Sequence, residues 1–410
     1  MGYYIGQNTK LQELNFYITI DNESFYKEII HNKSIKEIQF YGINLLDGKV
    51  FRMLNPFLKN NHSLTQISVQ DSEFGEESAR QLSLALGDCS QLKNINISEN
   101  IIGIGQLVNI ITALSMHPQL ERLDLTWMDI DRNECTALST LLRCTTTQLQ
   151  KLNLHGNNID DDGIELLLPA LCEHTLQELK LGYNHLITII GWKAVSTLLE
   201  TPDSNLETLN ISFNNIGDDE ARIFANALKS NTTLKTLSLS NSRIGITSEG
   251  WAPFSKLLCD TSSINNTFLS NHTLENFGNT EGQPRVVSTS FVLNNMEDKR
   301  KVAITKILRQ HSHFNVQPFF EWELKVLPIM INWFTKAATF ALPVSDTSDK
   351  INKLRLSVIY DFIKALPMLY VEPMTRQEIA KYTAIMEEEQ LQGDELEEIR
   401  QRKAHAMRRL

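Results

Sequence analysis

The sequence predicts an α/β horseshoe solenoid, with parallel strands on its concave face, helices on its convex face and an all-α block at its C-terminal end. Three observations carry that expectation. An eleven-residue phrase, clearest at Leu206-Glu-Thr-Leu209-Asn-Ile211-Ser-Phe-Asn214-Asn-Ile216, places apolar residues at steps of three, two and five, with an Asn three residues after Ile211. The phrase returns at Leu92, Leu149, Leu176 and Leu234, with degenerate copies at Ile35, Leu64, Leu120 and Ile264, so its starts fall 27 to 30 residues apart. After each phrase comes a second apolar pattern at helical spacing, as in Leu107, Ile110, Ile111, Leu114 and in Leu138, Leu141, Leu142. A fixed period of this length is the mark of stacked supersecondary units that bury their apolar faces only against one another.

Residues 1–34 lack the phrase. Leu11, Leu14, Phe16 and Ile18 predict a first strand and Ser24 to Ile30 a short helix, together an N-terminal cap over the open end of the stack. Repeats, about nine of them, are expected over 35–276. Each unit is a short strand, an Asn turn and a helix. The Asn side chain bonds backbone groups left unpaired where the strand turns. Where Asn gives way to Ser72, Met128, Ser242 and His272, a looser turn is expected without loss of the fold. Acids gather where helices begin, at Asp160-Asp-Asp-Gly163 and Gly217-Asp-Asp-Glu220, facing the positive helix end.

Residues 277–296 read as a linker punctuated by Gly and Pro, and 297–374 as a helical domain or cap. Within it Glu297 to Gln310 is expected to be helical. A second, aromatic-rich helix runs over 319–334 with a kink at Pro328, and an amphipathic one over 349–366. Residues 375–410 form a charged helical tail ending in Arg408 and Arg409.

The strand phrase, the period and the G-x-x-x-L-x-x-x-L helix resemble the ribonuclease-inhibitor-like (RNI-like) leucine-rich repeats. That superfamily includes ribonuclease inhibitor, the Ran GTPase-activating protein and the repeat domains of NOD-like receptors. The resemblance covers roughly residues 35–275. It implies the fold strongly and the function weakly, because one scaffold carries unrelated roles.

Composition narrows the function classes. The formal net charge is −10, which disfavours a phosphate backbone as partner. The start MGYYIGQNTK lacks the pattern of a secretory signal, and Gly6 stands where myristoylation needs Ser or Thr. The longest apolar run, Val326 to Phe334, is too short to span a bilayer. A cytoplasmic, monomeric protein bound neither to membrane nor to nucleic acid is expected. Cys89, Cys144, Cys172 and Cys259 fall 23 to 25 residues into their repeats and read as small buried residues closing each turn. No P-loop, G-x-S-x-G, H-E-x-x-H or paired-cysteine motif occurs. His311 and His313 are too few for a metal site. No catalytic, cofactor-binding or metal-binding residue is assigned.

What the predicted scaffold offers is its strand wall. The position between paired apolar strand residues holds Gln39, Ser68, Asn96, Asp124, Asn153, Lys180, Asn210, Ser238 and Phe268. The position before the Asn column holds Asp71, Glu99, Trp127, Gly156, Tyr183, Phe213 and Asn241. Large aromatics are favoured interface anchors. Trp127, Tyr183 and Phe213, with His155, Asp124 and Lys180 as polar neighbours, are therefore the candidate surface for a protein partner. The expected function is a non-catalytic interaction scaffold. A GTPase-activating protein like the Ran activator and an enzyme inhibitor stand as alternatives.

Overall fold

In a computed structural model of the chain, residues 1–311 are described, except 19, 21, 90, 104, 116, 145–147, 174–175, 202–203, 241–244, 279 and 281. The expected helices over 319–334 and 349–366, the kink at Pro328 and the charged tail lie outside the described residues, as does Ser242.

The chain begins with α1 (Gly2–Gln7), β1 (Glu13–Phe16) and α2 (Glu23–Ile29). Next come β2 (Glu37–Tyr41), β3 (Asn44–Leu45), α3 (Lys49–Asn60), β4 (Gln66–Gln70), β5 (Glu73–Phe74) and α4 (Glu76–Gly87). The middle alternates β6 (Asn94–Asn96), α5 (Gln106–Leu114), β7 (Arg122–Asp124), α6 (Arg132–Arg143), β8 (Lys151–Asn153) and α7 (Asp161–Glu173). Then follow β9 (Glu178–Lys180), α8 (Ile189–Glu200), β10 (Thr208–Asn210), α9 (Asp218–Ala227), β11 (Thr236–Ser238) and α10 (Ser248–Leu258). The described part closes with α11 (Ile264–Phe268), α12 (Arg285–Asn294) and α13 (Lys299–Gln310).

Nine strands pair in the order β1-β2-β4-β6-β7-β8-β9-β10-β11, and every pairing is parallel. Parallel neighbours need a crossover, and α2 to α9 supply it. The register keeps equivalent residues opposite one another: Leu209 faces Leu179 on one side and Leu237 on the other. The strands alternate, so Leu152, Leu179, Leu209 and Leu237 point into the core while their neighbours stay half-exposed. The first residue of the phrase is buried too, as at Leu64, Leu92, Leu120, Leu149 and Leu234. Strands and helices therefore form two walls over one continuous apolar interior, an α/β solenoid.

The Asn column makes the bonds expected of it and reaches one repeat further back than the turn alone requires. Asn157 Nδ2 donates to the carbonyls of Leu154 (3.0 Å) and Leu125 (2.9 Å), and its Oδ1 accepts from the amides of Met128 (3.0 Å) and Ile130 (3.1 Å). Asn100, Asn184 and Asn214 repeat the scheme. Ser72 and Met128 hold their turns in shortened form. Ser72 Oγ accepts from Ile43 N (3.2 Å), and Met128 Sδ accepts from Asn100 N (3.5 Å).

A second asparagine column, not anticipated from sequence, ties the other turn, where a helix gives way to the next strand. Asn231 Nδ2 donates to Leu199 O (2.9 Å) while its Oδ1 accepts from Leu234 N (2.8 Å). Asn271 bonds Leu228 O and Leu274 N in the same way, and Asn32 and Asn61 serve the first turns. All four lie three residues before a phrase start. Cys89 and His117 occupy that place in two repeats. His117 is buried, which holds its imidazole below the usual histidine range. His117→Asn, by rebuilding the column against Leu86 O, is expected to raise stability by about 1 kcal/mol. An unchanged urea midpoint would show that the imidazole already satisfies the site.

Helix starts follow the acids. Asp131 Oδ1 accepts from Asn133 N (2.8 Å) while Glu134 Oε2 accepts from Asp131 N (3.3 Å), a reciprocal cap on α6. Asp161 and Asp218 do more, each latching the next helix. Asp218 accepts from Thr247 N (2.8 Å) and Thr247 Oγ1 (2.6 Å), as Asp161 does from Thr188 N (2.8 Å) and Thr188 Oγ1 (2.5 Å).

Five expectations need correction. The copy at Ile264 is a helix, α11; the last strand-like pairing joins Thr236 to Asn276, with Leu274 and Phe277 fully buried in the phrase's apolar places. Phe268 therefore ends a helix instead of standing on the strand wall, and His272 does not hold the Asn place. Its ring instead faces Lys306 and Phe268 O. The expected linker over 277–296 contains α12, which buries Val287, Phe291 and Leu293. Cys89 and Cys259 are buried, but Cys144 and Cys172 are half-exposed. Burial pushes the thiols of Cys89 and Cys135 up to about 12.

Candidate functional site

The residue before each Asn turn sits in left-handed backbone. Along this column φ is +64° at Gly42, +49° at Asp71, +59° at Glu99, +53° at Trp127, +70° at Gly156, +58° at Tyr183 and +60° at Phe213. The cause is local: after the strand the chain must reverse toward its helix while the following side chain turns inward. Glycine meets that demand freely, whereas a bulky L-residue there is an outlier that costs of order 1 kcal/mol. Three large aromatics nonetheless occupy it.

Their rings gather. Trp127 and Tyr183 have centroids 4.7 Å apart, and Tyr183 lies 6.1 Å from Phe213. His155 stands among them, 6.0 Å from Trp127, 6.0 Å from Tyr183 and 6.2 Å from Phe213. Glycines make the room. The Trp127 ring rests on Gly156, where any Cβ would strike it, and His155 rests in the same way on Gly182. Seated on backbone, the rings still reach solvent: Trp127 is 45% exposed and Phe213 38%.

The polar neighbours form a separate row, three residues earlier, in which Asp124, Asn153, Lys180 and Asn210 stand side by side on adjacent strands. Their bonds stay mostly within the wall. Asp124 accepts from Thr126 N (3.0 Å) and Asn153 Nδ2 (2.9 Å). Lys180 pairs with Glu178 (2.9 Å), which also pairs with Lys151 (2.9 Å). Burial alone would raise Glu178, but the two ammonium groups outweigh it and hold the carboxyl below its usual range. Burial likewise lowers His155; Asp124 opposes the shift and Lys180 adds to it. The imidazole is thus neutral at pH 7, suited to stacking and hydrogen bonding. Among the described residues no group of three or more His, Cys, Asp or Glu is placed to hold a metal ion. None of their helices is long and apolar enough to cross a membrane.

The structure also adds exposed residues that sequence reasoning passed over. Tyr183 packs on His185 (4.3 Å), and just beyond it Leu186 (56% exposed), Ile189 and Ile190 (70% exposed) face solvent at the start of α8. The signal was present: Leu186-Ile-Thr-Ile-Ile190 is apolar where other repeats place acids.

A leucine-rich-repeat family model matches residues 147–168 and 203–219. Among curated proteins, the chain is similar to NACHT, LRR and PYD domains-containing protein 4C of Mus musculus, 24% identical over 213 residues, covering 51% of this chain and 21% of that protein. It is similar to NACHT, LRR and PYD domains-containing protein 3 of Macaca mulatta, 32% identical over 159 residues, covering 38% of this chain and 15% of that protein. It is also similar to the ribonuclease inhibitor of Sus scrofa, 25% identical over 247 residues, covering 52% of this chain and 53% of that protein. The match thus spans about half of the inhibitor's length and about a fifth and a seventh of the other two.

Proposed function

Because the chain is a leucine-rich-repeat protein of the ribonuclease-inhibitor-like type, we propose that it is a non-catalytic scaffold that grips a protein partner on its strand wall. The anchors are Trp127, Tyr183 and Phe213, with His155 between them and Asp124 and Lys180 in the adjoining row.

One observation carries this reading. The Trp127 and Phe213 rings stand exposed, with Tyr183 half-buried, on left-handed backbone that favours glycine, and Gly42 and Gly156 in the same column show that glycine serves the fold there. Strain of this kind persists where the surroundings impose it, and it concentrates at functional sites. Exposed Trp and Tyr bury much area at small entropic cost when a partner closes over them.

The test begins with the full chain as bait to identify the partner, followed by titration of the purified pair. Trp127→Ala and Tyr183→Ala are each expected to weaken binding by about 2 kcal/mol or more, with the thermal midpoint nearly unchanged. Phe213→Gly removes the backbone penalty together with the ring, so it is expected to weaken binding without lowering the midpoint. Unaltered affinity in both the Trp127 and Tyr183 variants removes this surface from consideration.

A further inference from the structure

We propose that the edge where strands pass into helices, from the second to the seventh repeat, docks a segment of the partner protein that carries arginine or lysine beside aliphatic residues. The inference rests on the strand-wall reading and specifies the chemistry and place of contact.

The two edges of the strand wall differ in how their charges are used. At the strand-start edge, charges neutralise one another across repeats: Lys93 pairs with Glu121 (2.7 Å), Lys151 with Glu178 (2.9 Å) and Lys235 with Glu207 (2.9 Å). At the strand-end edge Arg132, which opens α6, is already paired with Asp162 (2.8 Å). The connections 70–76, 98–106, 126–131, 155–162, 182–189 and 212–218 contain neither lysine nor arginine. Asp71, Glu99 and Asp129 are exposed there, and among the described residues none of the three forms an ion pair. Asp129 accepts only a side-chain bond from Asn158 (3.3 Å).

The exposed apolar surface lies along the same edge. The left-handed column aligns Asp71, Glu99 and Trp127 on successive strands, followed by Tyr183 and Phe213. Adjacent parallel strands stand about 4.8 Å apart, so an extended segment crossing them meets a carboxylate every residue or two and then the rings. Leu186 and Ile190 continue the apolar surface around the edge. Unpaired carboxylates beside an exposed indole suit a guanidinium, which takes bonds from one and lies against the face of the other. Aliphatic side chains of the same segment then cover Tyr183, Phe213 and Leu186. A phosphate-bearing partner or an anionic membrane meets repulsion at this edge.

The test uses fluorescein-labelled peptides of alternating arginine and leucine, and of alternating glutamate and leucine, titrated against the full chain by anisotropy. The arginine peptide is expected to bind, to weaken with added salt, and to lose about tenfold in affinity on Glu99→Gln with Asp129→Asn, and likewise on Trp127→Ala. Glu165→Gln with Glu200→Gln removes two exposed carboxylates from the helix wall and is expected to change nothing. Equal weakening by both neutralised pairs would mean attraction by net charge alone and overturn the proposal. Tighter binding of the glutamate peptide, lost on Trp127→Ala, would overturn it while leaving the strand-wall reading standing. Indifference of both peptides to every strand-end variant, Trp127→Ala included, would overturn it as well. Failure of the strand-wall reading is read separately, from the partner titrations with Trp127→Ala and Tyr183→Ala.

Discussion

Asn184→Ala is expected to lower the unfolding free energy by at least about 3 kcal/mol, a large part of what holds an ordinary domain together. The side chain is fully buried. Its Nδ2 donates to Leu154 O and Leu181 O (3.0 Å each), and its Oδ1 accepts from Ile159 N (3.3 Å). Alanine orphans the Ile159 amide in an interior closed to water, at about 1–3 kcal/mol, and strips one of two side-chain donors from each carbonyl, which Asn157 and Asn214 still reach, at about 1 kcal/mol apiece. Because these bonds reach into the repeat before, the loss falls on the coupling between units that a stacked fold depends on. Asn158→Ala, at an exposed position whose amide only meets Asp129 (3.3 Å), is expected to stay within about 0.5 kcal/mol of the parent. Urea unfolding followed by circular dichroism measures both. An Asn184→Ala midpoint close to that of Asn158→Ala would mean that the column is dispensable.

The second large effect lies at Lys306 on α13, whose side chain is almost wholly buried. Its Nζ donates to Leu258 O (2.6 Å) and Asn271 O (3.2 Å), and faces His272 Nδ1 at 3.0 Å. His272 Nε2 lies 3.0 Å from Phe268 O. If Nε2 carries the proton and donates there, Nδ1 is left as an acceptor, so three acceptors converge on the ammonium. Leu258 ends α10, and the negative end of that helix favours the charge. Burial, reinforced by Lys299 and opposed by Cys259, nonetheless brings Lys306 down to about 7. Burial and the Lys306 charge bring His272 down to about 4.

The sign follows from proton counting. Between pH 7 and about 10.5 the unfolded lysine holds a proton that the folded one has released, so stability rises with pH across that window. Below about 6.5 the unfolded His272 binds a proton that the folded ring refuses, so stability falls further as pH drops toward 4. Lys306→Met removes the first dependence. Relative to the variant, the parent is expected to gain on the order of 4 kcal/mol between pH 7 and 10.5. Denaturant midpoints at several pH values read this directly, since other titrating groups cancel in the difference. Parallel curves for the two chains would show that Lys306 keeps an ordinary affinity for its proton.

Much of the fold was legible because it rests on short-range rules repeated many times. Leu206, Leu209 and Ile211 mark a strand by spacing alone, and Asn214 marks its turn, since an amide side chain donates two bonds there while its oxygen accepts. The same logic misplaced the last unit. Ile264-Asn-Asn-Thr-Phe268 carries apolar residues at plausible steps, yet it caps a helix through Ser263 and packs as α11. The true partner of Leu234 is Leu274, 40 residues on, across an insertion whose length hides the period. The second asparagine column was hidden for another reason. Asn231 and Asn271 precede the phrase by three residues, and Cys89 and His117 interrupt the series.

For the candidate surface, the period was enough to show which residue types share a register: Trp127, Tyr183 and Phe213 follow from it, and nothing in the structure moves them out of line. Local spacing also set the strand, turn and helix of most units, because these depend on residues a few places apart. The tertiary structure alone decided that this register is left-handed backbone, that Gly156 and Gly182 seat the rings, and that Asp124 and Lys180 spend most of their bonds inside the wall. The physical reason is distance along the chain. Each of these outcomes depends on a neighbour about one period away, whose approach is set by how the repeats stack and not by the residues on either side.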